Sequence, residues 1–246
     1  MRIFWRVLSA ERLKISKSFV WLLVIGSPVI ALLIGGLSNM EEYGEPITWQ
    51  VLLSVMSAVH AIFFLPVLSG IFAALICRAE HADGGWKMLL SLPVTRSSVY
   101  FAKYTMVMGL LAAVQILFLA ALLGMGVVRG VAGPLPWPLI LSSVFGGWFA
   151  CLPLAALQLA VSLSWSSFGA PLALNVSLTI PNMLIVNSST YGPYYPWVQP
   201  VLAMSPFGEE RFGAFNLPME SLLLVVSGSL IIFMAAGLVS FWRKAV

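Results

Sequence analysis

The sequence predicts an all-α membrane protein, with six transmembrane helices behind an N-terminal amphipathic helix lying in the headgroup layer. Three observations predict it. Of the 246 residues, 60% are hydrophobic and 9% are charged, where a soluble domain carries about 25% charged residues. Several apolar runs reach the roughly 20 residues that a helix needs to cross a hydrocarbon core of about 30 Å. The runs do not alternate as barrel strands would, and backbone groups in lipid must be bonded within their own segment, so the runs are helices.

Residues 1–17 are too polar to span. On a helical wheel Ile3, Phe4, Val7, Leu8 and Ile15 share one broad side, and Arg2, Arg6, Ser9 and Lys17 the other. That pattern suits a helix in the headgroup layer with its cations near anionic lipid. Glu11 interrupts the apolar arc and Leu13 falls outside it. Glu11 and Lys14 meet at i+3; they belong either to a plain interfacial anchor or to a face turned to a partner protein or the rest of the bundle. The opening does not read as a cleaved signal peptide, because its polar region is long and no A-x-A-like site follows the apolar run.

Hydropathy places spans near 19–37, 51–77, 103–128, 139–162, 169–186 and 221–241. Pro66 inside the second run predicts a tilt or kink. With the N-terminus inside, all of the 13 lysines and arginines except Arg129 and Arg211 fall on the cytoplasmic face. The acids Glu41, Glu42, Glu45, Glu209, Glu210 and Glu220 fall outside. This asymmetry sets the orientation and puts both termini in the cytoplasm. The chain is then one domain, 1–246, with a cytoplasmic loop at 78–98 and an extracellular loop at 187–220. The net charge of +4 reports topology and not nucleic-acid binding.

Catalytic patterns are missing from the sequence. It holds no G-x-x-x-x-G-K-[ST] phosphate loop, so the chain does not hydrolyse ATP by that route, and no H-E-x-x-H. His60 and His81 are too far apart in sequence to suggest a metal pair. Cys77 and Cys151, placed near cytoplasmic helix ends, read as small packing residues kept reduced. Ser162–Ser167 has no activating base beside it and reads as a small-residue turn. His60 lies in the second span, either as a functional group or as a neutral imidazole bonded between helices. Gln115, Gln158, Asn175, Thr179 and Asn182 either bridge helices or line a path. Gly124, Gly126, Gly146 and Gly147 suggest close helix approach. No ionised residue sits in the middle of a predicted span, which argues for energy supplied from outside the membrane.

The informative connection is Arg78–Arg96. It begins with charges, passes Gly84-Gly85, runs through Trp86, Lys87, Met88, Leu89 and Leu90, and stops at Pro93. This reads as a short helix, a glycine break and a second amphipathic piece flat on the membrane. Glu80 and Asp83 beside Trp86 and Leu90 suit docking into a groove on a soluble partner.

The pattern Glu80-x-x-x-Gly84-x-Trp86-Lys87-x-Leu89-Leu90-Ser91-Leu92-Pro93-x-x-Arg96, followed by Lys103, resembles the loop of ABC-2-type permeases, and most nearly that of the lantibiotic-immunity and bacitracin-resistance group. Glu11-x-x-Lys14-x-x-Lys17-Ser18 before a Trp-containing first span matches that group's opening, and Pro196-Trp197 before Pro200 is similar too. The resemblance implies a half-transporter of the type V exporter kind. Its loop between spans two and three would carry the coupling helix for a separate cytoplasmic ATPase, which would hold ATP and Mg. By position, Glu80, Gly84, Trp86, Lys87, Leu90, Pro93 and Arg96 would form or shape that contact. Many members have threonine where this chain has Gly85, a departure that would loosen the turn.

The resemblance further implies a second permease copy or a paired permease, a bacterial cytoplasmic membrane, and an outer region of short helices dipping back into the bilayer as a gate. The aromatic, acidic mouth (Tyr191, Tyr194, Tyr195, Trp197 and the outer acids) would suit a cationic amphipathic peptide. Two functions follow: a permease that expels such a peptide or another amphipathic substrate, or a sensor or assembly subunit that docks the ATPase without transporting.

Overall fold

The computed structural model describes residues 2–16, 18–39, 47–82, 85–131, 133–205, 211–212 and 217–244. Lys17, Glu41, Glu42, Glu45, Asp83, Gly84, Glu209 and Glu210 lie outside the described residues.

The chain opens with α1 (Arg2–Ser16) and α2 (Val20–Leu37). A long rod follows, made of α3 (Trp49–Val59), a π-helical turn (His60–Phe64) and α4 (Leu65–His81). After the short α5 (Gly85–Leu90) come α6 (Arg96–Val128) and α7 (Trp137–Ser164). Then α8 (Gly169–Thr179), α9 (Asn182–Ile185) and α10 (Gln199–Met204) lead to α11 (Met219–Arg243). Two-residue strands β1 (Arg211–Phe212) and β2 (Leu217–Pro218) pair antiparallel just before α11.

Among the described residues five helices are long and apolar enough to cross a membrane: Val20–Leu37, Trp49–His81, Arg96–Val128, Trp137–Ser164 and Glu220–Arg243. The fifth predicted span, 169–186, is a shorter apolar stretch, Gly169–Ile185. It breaks at Ile180-Pro181, where proline supplies no backbone donor. The third span begins earlier than hydropathy places it. Thr95 caps α6 by accepting a bond from the Ser98 amide at 3.2 Å, so the helix starts at Arg96 and carries Lys103 inside it.

Helix ends register the bundle. At one end, His81, Arg96, Ser162, Leu163, Phe241 and Lys244 meet: Arg96 Nη1 donates to the carbonyls of Phe241 (3.0 Å), Trp242 (2.6 Å) and Lys244 (2.9 Å). Lys244 Nζ bonds the carbonyl of Leu163, in the last turn of α7. At the other end, Arg129 bonds the carbonyls of Gly35, Gly36 and Ser38 behind α2. Cations placed on the unpaired carbonyls of a helix C-terminus are favourable twice over, as donors and as charges in the helix dipole.

The rod's irregularity is answered by a neighbour. Pro66 has no N–H to give to the Ile62 carbonyl, and the π-turn precedes it with Leu65 N–H bonding His60 O. Asn182 Nδ2 supplies the missing donor to Ile62 O at 2.9 Å. Asn175 Nδ2 reaches the carbonyls of Pro66 and Val67 at 3.0 and 3.2 Å. This is how a proline survives in a spanning helix.

The stretch 187–220, expected from sequence to be an extracellular loop, is only partly at the surface among its described residues. Val198, Val201, Leu202, Ala203 and Met204 are buried, and α10 packs on α7, with Ser143 Oγ donating to Met204 O at 2.7 Å. The remaining core runs through Leu52, Phe72, Leu111, Phe118, Leu122 and Leu159. Exposed Trp21, Leu22, Ile25 and Leu33 on α2, and Leu224, Ile231 and Ile232 on α11, face outward, as suits lipid or another apolar helix. Cys77 and Cys151 are free and buried, Cys151 in the middle of α7 and not at its end.

Of the small residues, Gly126, Gly146 and Gly147 sit where a Cβ would meet Trp49, Ala203 and Met204, whereas Gly124 faces open space. A Cβ on Gly126 would lie 2.1 Å from the Trp49 ring. Gly126→Ala should therefore destabilise the α3–α6 contact by about 1–3 kcal/mol, read as a lowered thermal midpoint in detergent. Gly124→Ala should leave that midpoint unchanged.

Candidate functional site

At the end of the bundle where α5 lies, four ionised side chains close into a ring. Glu80 comes from the last turn of α4, Lys103 from the second turn of α6, and Glu11 and Lys14 from α1. Lys103 Nζ lies 2.8 Å from Glu80 Oε2 and 3.1 Å from Glu11 Oε2. Lys14 Nζ lies 2.9 Å from Glu11 Oε1 and also pairs with Glu80 Oε1. Lys103 has 0% of its side chain exposed and donates a further bond to Ile76 O at 2.8 Å. The two carboxylates are 3% exposed. Charges this deep persist only when paired and hydrogen-bonded. Burial works against the Lys14 charge, but the Glu80 bond and the Glu11 charge outweigh it and raise this ammonium above its usual range.

The Glu11 that interrupts the apolar arc of α1 is thus its buried link to the bundle, while Leu13 is exposed. The pair Glu11 and Lys14 faces the bundle. Lys103, which the sequence places on a flank, is the residue that sequence reasoning missed. The cap at Thr95 was the available signal, because it moves the start of α6 to Arg96 and turns Lys103 into a helical position.

α5 is seated on this ring. Trp86 is buried, and its Nε1–H donates to His81 Nδ1 at 3.2 Å, while His81 Nε2–H donates to Ser162 O at 2.7 Å. The Trp86 ring packs edge-on against Phe241, with centroids 5.3 Å apart. The ammoniums of Lys103 and Lys244 stand 5.7 and 5.1 Å from its centroid, within cation–π range. Gly85 fits so tightly that a Cβ would lie 2.7 Å from Ala79 O and 2.9 Å from Glu80 Cα. That close approach corrects the expectation that Gly85 loosens the turn: a larger residue would push α5 off its seat.

The predicted docking residues therefore divide. Glu80 and Trp86 are buried and turned inward, because the ion ring and the His81 relay claim their polar atoms. Arg96 is engaged with the end of α11. Asp83 and Gly84 lie outside the described residues, and Leu90 belongs to α5. Lys87, Met88, Ser91, Leu92 and Pro93 face outward, Met88 75% and Leu92 53% exposed. Beside them a mostly apolar groove of about 440 Å³ runs between α1 and α5, lined by Val7, Ala10, Met88, Leu89 and Leu92.

Deeper in the bundle the polar residues bridge helices. His60 Nε2–H donates to Gln115 Oε1 at 3.1 Å, and Ser27 Oγ bonds His60 Nδ1 at 2.7 Å. Gln115 Nε2 in turn reaches Met204 Sδ at 3.4 Å, which fixes the amide's orientation. Asn175 Oδ1 accepts from Gln158 Nε2 at 2.9 Å and from Trp197 Nε1 at 2.8 Å. Thr179 does not bridge: its hydroxyl bonds Asn175 O in its own helix. No group of histidine, cysteine, aspartate and glutamate among the described residues could hold a metal ion.

A family model described as ABC-2 family transporter protein matches residues 7–182, from α1 through the start of α9. The chain belongs to the ABC-2 transporter family. No curated protein and no solved structure matches it significantly. As an ABC-2 permease the chain is the multi-pass membrane subunit of an ABC exporter. The matched stretch contains the ion ring, α5 and the π-turn, whereas Trp197, Met204, Phe241 and Lys244, which pack against them, lie beyond it.

Removing one member of the ring strands a buried charge. Lys103→Met should cost about 3–5 kcal/mol. Lys103→Met with Glu80→Gln should cost less than the sum of the two single changes, because Glu11 and Lys14 remain as a neutral pair. A double-mutant cycle on thermal unfolding in detergent measures the difference.

Proposed function

We propose that this permease is driven by a separate cytoplasmic ATPase that docks on the exposed Lys87, Met88, Leu92 and Pro93 of α5 and the turn after it, and that it expels a cationic amphipathic peptide of the lantibiotic or bacitracin kind. One observation carries the docking: Met88 of α5 and Leu92 in the turn after it face outward, while Trp86 of α5 is wedged into the bundle. Met88 and Leu92 are apolar area that a loop with no partner would gain by hiding. A surface that spends its tryptophan on the bundle and keeps methionine and leucine exposed is built to be covered by a partner.

In this reading the ATPase supplies the nucleotide chemistry with its own ATP and Mg, and the permease supplies the path. A second copy, or a paired permease, completes the pore. The chain crosses six times, with Gly169–Ile185 as a short fifth crossing, and α1 lies in the cytoplasmic headgroup layer. The one-sided placement of lysine and arginine supports cytoplasmic termini in a bacterial cytoplasmic membrane. ATP-driven closure of the partner would shift α5, and alternating access would follow at the bundle interface.

The peptide cargo is supported by the sign and chemistry of the opposite end. Exposed Tyr191, Tyr194 and Glu220 stand in a region whose sequence adds Glu41, Glu42, Glu45, Glu209 and Glu210. Anionic and aromatic groups at a mouth attract cationic amphipathic chains.

Met88→Asp with Leu92→Asp, at two exposed positions, should leave the thermal midpoint unchanged and lower ATPase capture in co-purification by about ten-fold or more, the loss of one hot-spot contact. Full retention of the ATPase would rule out docking on this face. Changing Glu41, Glu42, Glu45, Glu209 and Glu210 together to glutamine should reduce protection of cells against a cationic peptide, with docking intact. Unchanged protection would sink the peptide assignment alone.

A further inference from the structure

We propose that the cavity between the ends of α4, α7 and α8 holds a phosphate group, that of an anionic phospholipid in the adjoining leaflet. The cavity has a volume of about 210 Å³ and is walled by Arg78, His81, Ser162, Ser166, Ser167 and Phe168. Ser162 is 2% exposed, and its hydroxyl has no hydrogen-bond partner. A buried hydroxyl left unanswered costs stability, and here it belongs to the wall of a cavity that also carries a cation. α8 begins at the same wall. It follows Phe168 without a side-chain cap, so the free amides and positive dipole end of an 11-residue helix are present beside the serines.

Arg78 completes the recognition. Its guanidinium lies 5.4 Å from the Phe168 ring centroid, held over the aromatic face, and it makes no ion pair among the described residues. No carboxylate lines the cavity among the described residues. His81 adds no charge, because its Nε2–H is committed to Ser162 O and its Nδ1 accepts from Trp86. One cation, hydroxyl donors and a helix N-terminus together match an oxyanion such as a phosphate and repel an amine. A lipid is the source favoured by position. Arg78 stands in the last turn of a membrane-crossing helix, and Ala74 and Pro171 continue the wall from the polar end into the apolar body of the bundle, where glycerol and acyl chain would follow.

The site does not depend on docking of an ATPase, so binding tests it directly. The full-length protein, purified in a neutral detergent, would be titrated with phosphatidylglycerol, with phosphatidylcholine and with inorganic phosphate, and bound molecules counted by native mass spectrometry. The expected result is one phosphatidylglycerol held more tightly than the rest and in preference to phosphatidylcholine. Its affinity should fall about ten-fold in Arg78→Gln and in Ser167→Asp, as expected for losing a charge-assisted contact or adding a like charge. Arg6→Gln, on the exposed face of α1, should leave it unchanged. Ser167 is exposed, so Ser167→Asp keeps the test decisive if Arg78→Gln fails to fold. Equal retention of phosphatidylcholine, no response to either cavity variant, or an equal loss in Arg6→Gln would overturn the proposal. Millimolar inorganic phosphate bound in the wild type and lost in Arg78→Gln, with no phosphatidylglycerol preference, would assign the cavity to soluble phosphate and overturn the lipid.

Discussion

Placing Lys103 and Glu80 at the end of an apolar bundle carries a desolvation cost of several kcal/mol for each ion. Only a closed arrangement offsets it, and the ring of Glu11, Lys14, Glu80 and Lys103 is closed: each carboxylate meets both ammoniums. The ring sets the position of three elements at once. α1 cannot slide along α6 without opening Glu11 from Lys103, and α4 cannot rotate without taking Glu80 out of the ring. α5 then has a fixed floor, because Gly85 rests on the backbone of Ala79 and Glu80. The outward angle of Met88 and Leu92 is therefore set by charges of which only Lys14 is partly exposed.

A second balance operates around the π-turn of the long rod. There the constraint is backbone satisfaction in a low-dielectric medium, where an unanswered carbonyl is costly. Pro66 leaves Ile62 O without its helical donor, and the replacement comes from Asn182 at the break between α8 and α9. Asn175 spends its amide on the same stretch of the rod and its oxygen on Gln158 and Trp197. Two defects, one in each helix, cancel each other. The interrupted fifth segment is held in place by that exchange, and through Trp197 so is the chain leading into α10.

Much of this was legible in the sequence, and the remainder has a physical reason for being hidden. Hydropathy finds segments that lipid would accept, so it located α2, α7 and α11 within a few residues, and the C-terminal end of α6. It cannot find where a helix begins beyond the apolar run, so it cut α6 at Lys103, seven residues after the true start. Glu11 was visible as a fault in an amphipathic stripe, and a fault of that kind asks for a buried partner. The identity of the partner was invisible because Lys103 is 92 residues away. The loop pattern marked Glu80, Gly85 and Trp86 as special without saying which side of the loop they serve. A tryptophan and a glutamate have equal reason to face a partner or a seat, and only the position of His81, Phe241 and Lys103 around them decides.

The joints on α5 also indicate how a displacement there would travel. Trp86 touches Phe241 of α11 and, through His81, the Ser162 carbonyl of α7. Arg96, just past α5, holds the last carbonyls of α11, and Lys244 at the end of α11 holds Leu163 of α7. α5, α7 and α11 thus share one joint. At 28 residues, α7 is about 42 Å long, and its other half carries α10 through Ser143 and the close contact at Gly146. A stiff rod fixed to the α5 loop at one end and to the buried α10 at the other transmits a tilt as a whole, since helices bend only where a defect lets them. Pro153 is the one proline inside α7. It lies between the two attachments, so the share of motion that reaches α10 depends on how firmly Tyr104 OH, bonded to Leu152 O at 3.0 Å, and Trp148 Nε1, bonded to Met108 O at 3.0 Å, splint that point against α6.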